Sequence, residues 1–163
     1  DMIQRVQSIF LAMAAIAMGL MLFFPLWQKA SIESSEVATL NAFYLTYETL
    51  DPITGSAHNI LKNTFYIALL GGLSAALSIY SIFQYKTRLR QIQLGALNSL
   101  IIGITLGILM YFVFKAETLL EPTRQGNYLF GFYLPLAALF CNFAANRFIR
   151  KDEKLVKSMN RIR

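Results

Sequence analysis

Residues 91–114 read QIQLGALNSLIIGITLGILMYFVF, a run without one charged side chain. A helix rises about 1.5 Å per residue and the hydrocarbon core of a bilayer is roughly 30 Å thick, so this run can cross a membrane once. Three other runs share the property: 6–28, 63–85 and 125–146. Each of the four is 22 to 24 residues long, and all 15 Lys and Arg and all 9 Asp and Glu lie outside them. The sequence predicts an all-α transmembrane four-helix bundle, with spans at about 6–27, 63–85, 92–114 and 128–148. The composition agrees: 56% hydrophobic with only 15% charged is unusual for a soluble domain. The connections are too short to fold separately, so one membrane domain over residues 1–163 is expected.

The charges outside the runs are unevenly placed. Both ends and the 86–90 loop hold Arg5, Lys86, Arg88, Arg90, Arg147, Arg150, Lys151, Lys154, Lys157, Arg161 and Arg163. The other side holds only Lys29, Lys62, Lys115 and Arg124. Lys and Arg resist translocation, so the cation-rich side is expected to be cytoplasmic, with both termini inside. The first run lacks a small-x-small cleavage site after it, so it is read as a retained span rather than a leader. The net charge of +6 then reflects orientation rather than nucleic-acid binding.

The outer loop, 29–62, carries a strand signal. Phe43, Leu45 and Tyr47 alternate with Tyr44, Thr46 and Glu48 within the β-rich run 37–47. A partner strand near 29–32, joined through Glu33-Ser34-Ser35-Glu36, predicts a small β-hairpin or short sheet in this first extracytoplasmic loop. Asp51-Pro52-Ile53-Thr54-Gly55 is a turn signal. Thr54 or Ser56 is then placed as the cap of a helix that starts outside the membrane and continues as the second span. Alternation puts Phe43, Leu45 and Tyr47 on the bundle. Tyr44 and Thr46 face outward, as candidates for partner contact. Trp27 is expected at the membrane interface. Beyond the fourth span, residues 149–163 interleave charges with Ile149, Leu155, Val156, Met159 and Ile162, which predicts an amphipathic cytoplasmic tail drawn to anionic lipid.

Small residues mark helix faces. Gly95, Ser99, Gly103 and Gly107 recur every fourth residue in the third run, and Gly71, Gly72 and Ala75 cluster in the second. Such faces let helices approach closely where water provides no hydrophobic drive. They serve either the chain's own packing or a partner subunit. Asn98 and Asn142 lie inside spans, where an amide needs a partner, most simply an Asn or Ser of another helix. Pro135, with Gly131 one turn earlier, is read as a kink.

Several chemistries lack their residues. The one histidine, His58, cannot supply a bis-histidine haem site, and the one cysteine, Cys141, cannot supply a thiol pair. No carboxylate lies within a span for proton-coupled export. Glu33, Glu36, Glu48 and Asp51 fit no calcium-loop spacing and are read as solvated. No phosphate loop or nucleophile elbow is present. No catalytic, cofactor-binding or metal residues are therefore assigned, and the chain is read as not an enzyme.

Two terminal segments carry a resemblance. One is Met2-Ile3-Gln4-Arg5 leading into the run that ends Leu22-Phe23-Phe24-Pro25-Leu26. The other is Asn146-Arg147-Phe148-Ile149-Arg150-Lys151-Asp152-Glu153-Lys154-Leu155-Val156-Lys157-Ser158, closing with Arg161-Ile162-Arg163. Together they resemble an uncharacterised family of small four-span inner-membrane proteins of Bacteroidota, catalogued as a domain of unknown function. The resemblance implies a Gram-negative inner membrane and a periplasmic outer loop, and implies no activity. The order of elements is similar to claudins in architecture only, because the claudin loop cysteines are absent. The expected role is an accessory or scaffold subunit of a larger membrane complex, bound to the lipid bilayer and to other membrane subunits. The alternative is a small channel or transporter with a weakly polar lumen.

Overall fold

The computed structural model describes residues 2–31, 36–51, 55–118 and 126–162. Helix α1 spans Met2–Met21, followed by strands β1 (Trp27–Ser31), β2 (Glu36–Leu40), β3 (Tyr44–Asp51) and β4 (Gly55–Asn63). Then come α2 (Phe65–Phe83), α3 (Arg88–Glu117), the short β5 (Asn127–Tyr128) and α4 (Phe130–Arg161). The helices form a ring in which α1 meets α2, α2 meets α3, α3 meets α4 and α4 returns to α1.

The pattern of α1 shows why the bundle forms. Leu11, Ala14, Ala15 and Met18 are buried at helical spacing, whereas Ile9, Met13, Ile16 and Leu20 on the opposite face are exposed. A helix that is apolar all round belongs in lipid or in the core of something larger. Exposed apolar side chains continue on the other helices, with Leu69 and Leu73 on α2, Leu100 and Ile104 on α3, and Leu136 and Phe140 on α4.

The strands correct the all-α prediction and its small outer hairpin. They form one antiparallel sheet in the order β4-β3-β2-β1-β5. Its four main strands come from the first loop, and β5 is contributed by the second. The largest departure is β4. Residues 55–63 were expected to begin a helix, yet they pair along β3 from Asp51↔Gly55 to Tyr44↔Asn63. The Ser56 cap signal is local, and it loses to a ladder that satisfies the backbone of both strands. Helix α2 begins after Thr64 instead. Its first amides are met by the β2–β3 turn: Thr64 N donates to the Phe43 carbonyl and Ala68 N to that of Ala42. The hairpin turn at 33–35 and residues 52–54 of the turn signal lie outside the described residues, and the side chains of Ser56 and His58 are likewise not described.

One sheet face closes the end of the bundle. In β1 the alternation buries Trp27, Lys29 and Ser31 and exposes Gln28 and Ala30. Trp27, Ala38, Leu40 and Leu45 share a continuous core with Met18, Met21, Ile67, Leu109 and Val113 of the helices. Trp27 is fully buried within the protein. Leu45 and partly buried Tyr47 face the core as expected, but Phe43 falls in the turn before β3 and is 43% exposed.

Three helices, α2, α3 and α4, are long and apolar enough to cross a membrane. The first predicted span is corrected at its C-terminal end. It was placed over 6–27, but helix α1 stops at Met21, and its apolar part, Arg5–Met21, is shorter than the other three. Tight turns close the helix (Leu22 N to Gly19 O, Phe23 N to Leu20 O), and Pro25 cannot continue it. Leu26 N then donates to Leu40 O, committing the chain to the sheet.

Candidate functional site

Three groups of side chains stand out: amide clamps inside the bundle, an ion pair beneath the sheet, and a basic groove at the opposite end.

Helix α3 is hydrogen-bonded to both of its neighbours. Asn98 is 2% exposed. Its Oδ1 accepts from Ser74 Oγ at 2.5 Å, and its Nδ2 donates to Ser78 Oγ at 2.8 Å. Asn142 Nδ2 donates to the Gly95 carbonyl at 2.8 Å and to Ser99 Oγ at 2.6 Å. Nearby, Gln91 Nε2 donates to the Ser81 carbonyl at 2.9 Å. These are the Asn–Ser bonds the sequence suggested, and they tie α2, α3 and α4 at one level.

The small-residue stripes divide. Gly71 faces Met18 and Met21 of α1 and Leu22 just beyond it, and Gly95 lies directly against the Asn146 side chain of α4. A side chain at Gly72, Gly103 or Gly107 would meet nothing within 4 Å. Ser99 and Ala75 are half-buried. The stripes of α2 and α3 thus do not face one another. Each begins at a helix contact of this chain and continues onto open surface. Of the two candidates for partner contact, Tyr44 is 45% exposed. Thr46 is half-buried and its hydroxyl donates to the Thr39 carbonyl at 3.3 Å.

Beneath the sheet, Lys29 is only 3% exposed. Its Nζ donates to Glu117 Oε2 at 3.1 Å and to the Glu117 carbonyl at 3.0 Å. Glu117 ends α3, where the helix dipole disfavours an anion, and the ammonium offsets both the carboxylate and the terminal carbonyl. The other carboxylate oxygen accepts from Gly126 N at 2.9 Å, so the pair fastens β1 to α3 and to the segment leading into β5. Gly126 lies against the Trp27 indole, where a larger residue would collide. Sequence reasoning counted Lys29 only among the cations of the outer side. The available signal was period two, which puts Lys29 on the same strand face as Trp27. On the same sheet, Tyr47 is hydrogen-bonded to Glu36, and that bond, burial and the carboxylate's charge push the phenol up to about 12. Among the described residues, no group of three or more His, Cys, Asp or Glu side chains converges on a point.

At the other end, α4 runs unbroken to Arg161, so the tail continues the fourth helix. Asp152 pairs with Arg88 at the start of α3, 2.8 Å apart, and Glu153 with Lys157 at 3.3 Å. A groove of about 650 Å³ opens between α3 and α4, with Ala96 and Ser99 on one wall and Phe143, Asn146, Arg147, Arg150, Lys151 and Lys154 on the other.

The fold defined by these groups is a four-helix ring closed at one end by an antiparallel sheet. The chain belongs to the family described as a domain of unknown function (DUF4293), whose model matches residues 3–162. No curated protein matches the sequence.

Proposed function

We propose that the protein is a non-catalytic subunit of a bacterial inner-membrane assembly, crossing the membrane four times with both termini in the cytoplasm. Its role is that of an accessory or scaffold. The observation that carries this reading is the engagement of the intramembrane amides. Both polar groups of Asn98, and the amide nitrogen of Asn142, are bonded to neighbouring helices. A polar lumen would need those groups free to face water, so their use as clamps favours a structural role over a channel. The apolar outer faces of all four helices support lipid as their surroundings. Helix α1, at 20 residues, is near the length of a full crossing, and it packs along α4. The inner-membrane assignment rests on the family resemblance, and the orientation rests on the cation asymmetry.

Gly103 and Gly107, open on α3, and Tyr44, exposed on the sheet, are the surfaces offered to other subunits. The test is the native mass of the protein after mild-detergent extraction. A complex larger than the chain alone is expected, lost in Gly103→Leu or Tyr44→Asp while melting is unchanged. A monodisperse, solitary chain that conducts ions in liposomes would sink the scaffold role. Topology is tested with single cysteines at Ser35 and Thr87 in a Cys141→Ser background. They should label from opposite sides, and labelling of both from the periplasm would refute the orientation.

A further inference from the structure

The groove between α3 and α4 holds four cations that form no ion pair with a carboxylate of the described residues. Arg147, Arg150, Lys151 and Lys154 follow one another at helical spacing along its α4 wall. Both carboxylates of the tail are engaged elsewhere, Asp152 with Arg88 and Glu153 with Lys157. No carboxylate pairs with the four groove cations among the described residues. The groove also has an apolar part, formed by Ala96 of α3 and Phe143 of α4, the latter 56% exposed.

Depth gives the arrangement its meaning. The uncharged run of the fourth span ends at Asn146, so Arg147 and Arg150 are the first cations beyond the hydrocarbon boundary, at the level of lipid phosphates. Phe143 lies about 6 Å on the hydrocarbon side of Arg147, and Ala96 lies about 8 Å inside the start of the third uncharged run, both at acyl-chain depth. A soluble anion would satisfy the cations and leave the apolar floor bare. An acidic protein segment would have to enter the hydrocarbon to cover it. A molecule with a phosphate at one end and a hydrocarbon chain at the other matches both parts.

We infer that this groove binds one anionic glycerophospholipid of the cytoplasmic leaflet, its phosphate among Arg147, Arg150, Lys151 and Lys154 and an acyl chain along Phe143 and Ala96. The inference rests on the membrane placement proposed above. Basic recesses between spans at the cytoplasmic surface suit acidic headgroups.

The experiment is native mass spectrometry of the full chain in mild detergent, titrated with phosphatidylglycerol or phosphatidylethanolamine. One phosphatidylglycerol adduct should saturate first, at least about tenfold tighter than phosphatidylethanolamine. A cation near a charged surface is worth about fivefold, so Arg147→Gln with Arg150→Gln should weaken this adduct roughly 25-fold. Lys86→Gln with Arg161→Gln removes the same charge outside the groove and should leave it intact. Ala96→Trp keeps every cation but fills the floor, and should abolish the adduct. Ala96→Leu, a milder filling, should weaken it, and melting curves check that each variant folds. Equal losses from the two charge pairs, or an adduct that survives Ala96→Trp, would mean diffuse attraction and overturn the site. Binding of soluble glycerol phosphate as tight as that of phosphatidylglycerol would overturn a lipid ligand. A chain released from membranes only by detergent yet showing no preferred adduct refutes the groove and keeps the membrane placement. A chain in the aqueous fraction refutes that placement first.

Discussion

Lys29 Nζ lies 3.0 Å from the carbonyl and 3.1 Å from the carboxylate of Glu117, a residue 88 positions further along the chain. This pair joins the sheet to the helix ring and buries a charged side chain beneath the strands. Its surroundings decide which half matters more.

Glu117→Gln should destabilise the protein by on the order of 3 kcal/mol, because it removes the carboxylate 3.1 Å from an ammonium of 3% exposure. Lys29→Met should cost less, since Glu117 retains the Gly126 amide and is 24% exposed. Joining the two changes should recover part of the loss. The measurement is a double-mutant cycle of unfolding free energies in detergent.

The Tyr47 phenol gives the sheet a dependence on alkaline pH. Its folded value, about 12, lies above the ordinary 10 because its hydrogen bond to Glu36, burial and the nearby carboxylate favour the neutral form. A raised value stabilises the fold fully below pH 10, and that stabilisation is lost as pH rises from 10 through 12. The melting temperature of the wild type relative to Tyr47→Phe should therefore fall across that window and stay level below it. A flat difference would mean that the Glu36 contact does not hold the phenol.

Glycine substitutions should separate internal contacts from open surface. A methyl group at Gly131 would lie 2.6 Å from the Pro25 carbonyl oxygen, a backbone atom that cannot step aside cheaply. Gly131→Ala should cost about 1–3 kcal/mol. Gly103→Ala and Gly107→Ala meet nothing, and should be neutral or gain up to about 1 kcal/mol from helix propensity. Thermal melting of the purified variants ranks them.

The amide clamps should contribute modestly. Asn98→Leu removes both bonds to α2, and Asn142→Leu removes those to α3. Each should cost about 0.5–2 kcal/mol in detergent unfolding, with Ser74→Ala in the lower part of that range. An Asn98→Leu variant more stable than the wild type would show that the clamp opposes the fold.

The sequence by itself determined the apolar elements and the strand at Leu45. Uncharged runs of this length have few stable forms, because a helix satisfies its own backbone and needs no distant partner. For the same reason the continuation of α4 through Ile149 and Leu155 was legible from spacing alone. Alternation over 37–47 announced a strand, but the run breaks at 41–43 into β2 and β3, and the expected hairpin is part of a larger sheet. Tertiary structure alone decided that residues 55–63 pair with β3, that Asn127 and Tyr128 join the sheet from the second loop, and that Phe43 turns outward. A strand's hydrogen bonds belong to its neighbours, so the cap signal at Ser56 could not reveal which partner would claim that backbone. Likewise the stripe from Gly95 to Gly107 announced close approach without stating to what. Only the packed ring separates Gly95, held against Asn146, from Gly103 and Gly107, which stand open. Lys29 shows the same division: a loop lysine defaults to solvent until folding brings a carboxylate to it. The burial of a charge is a property of the assembled pair, and Glu117 lies too far along the sequence for local pattern to join them.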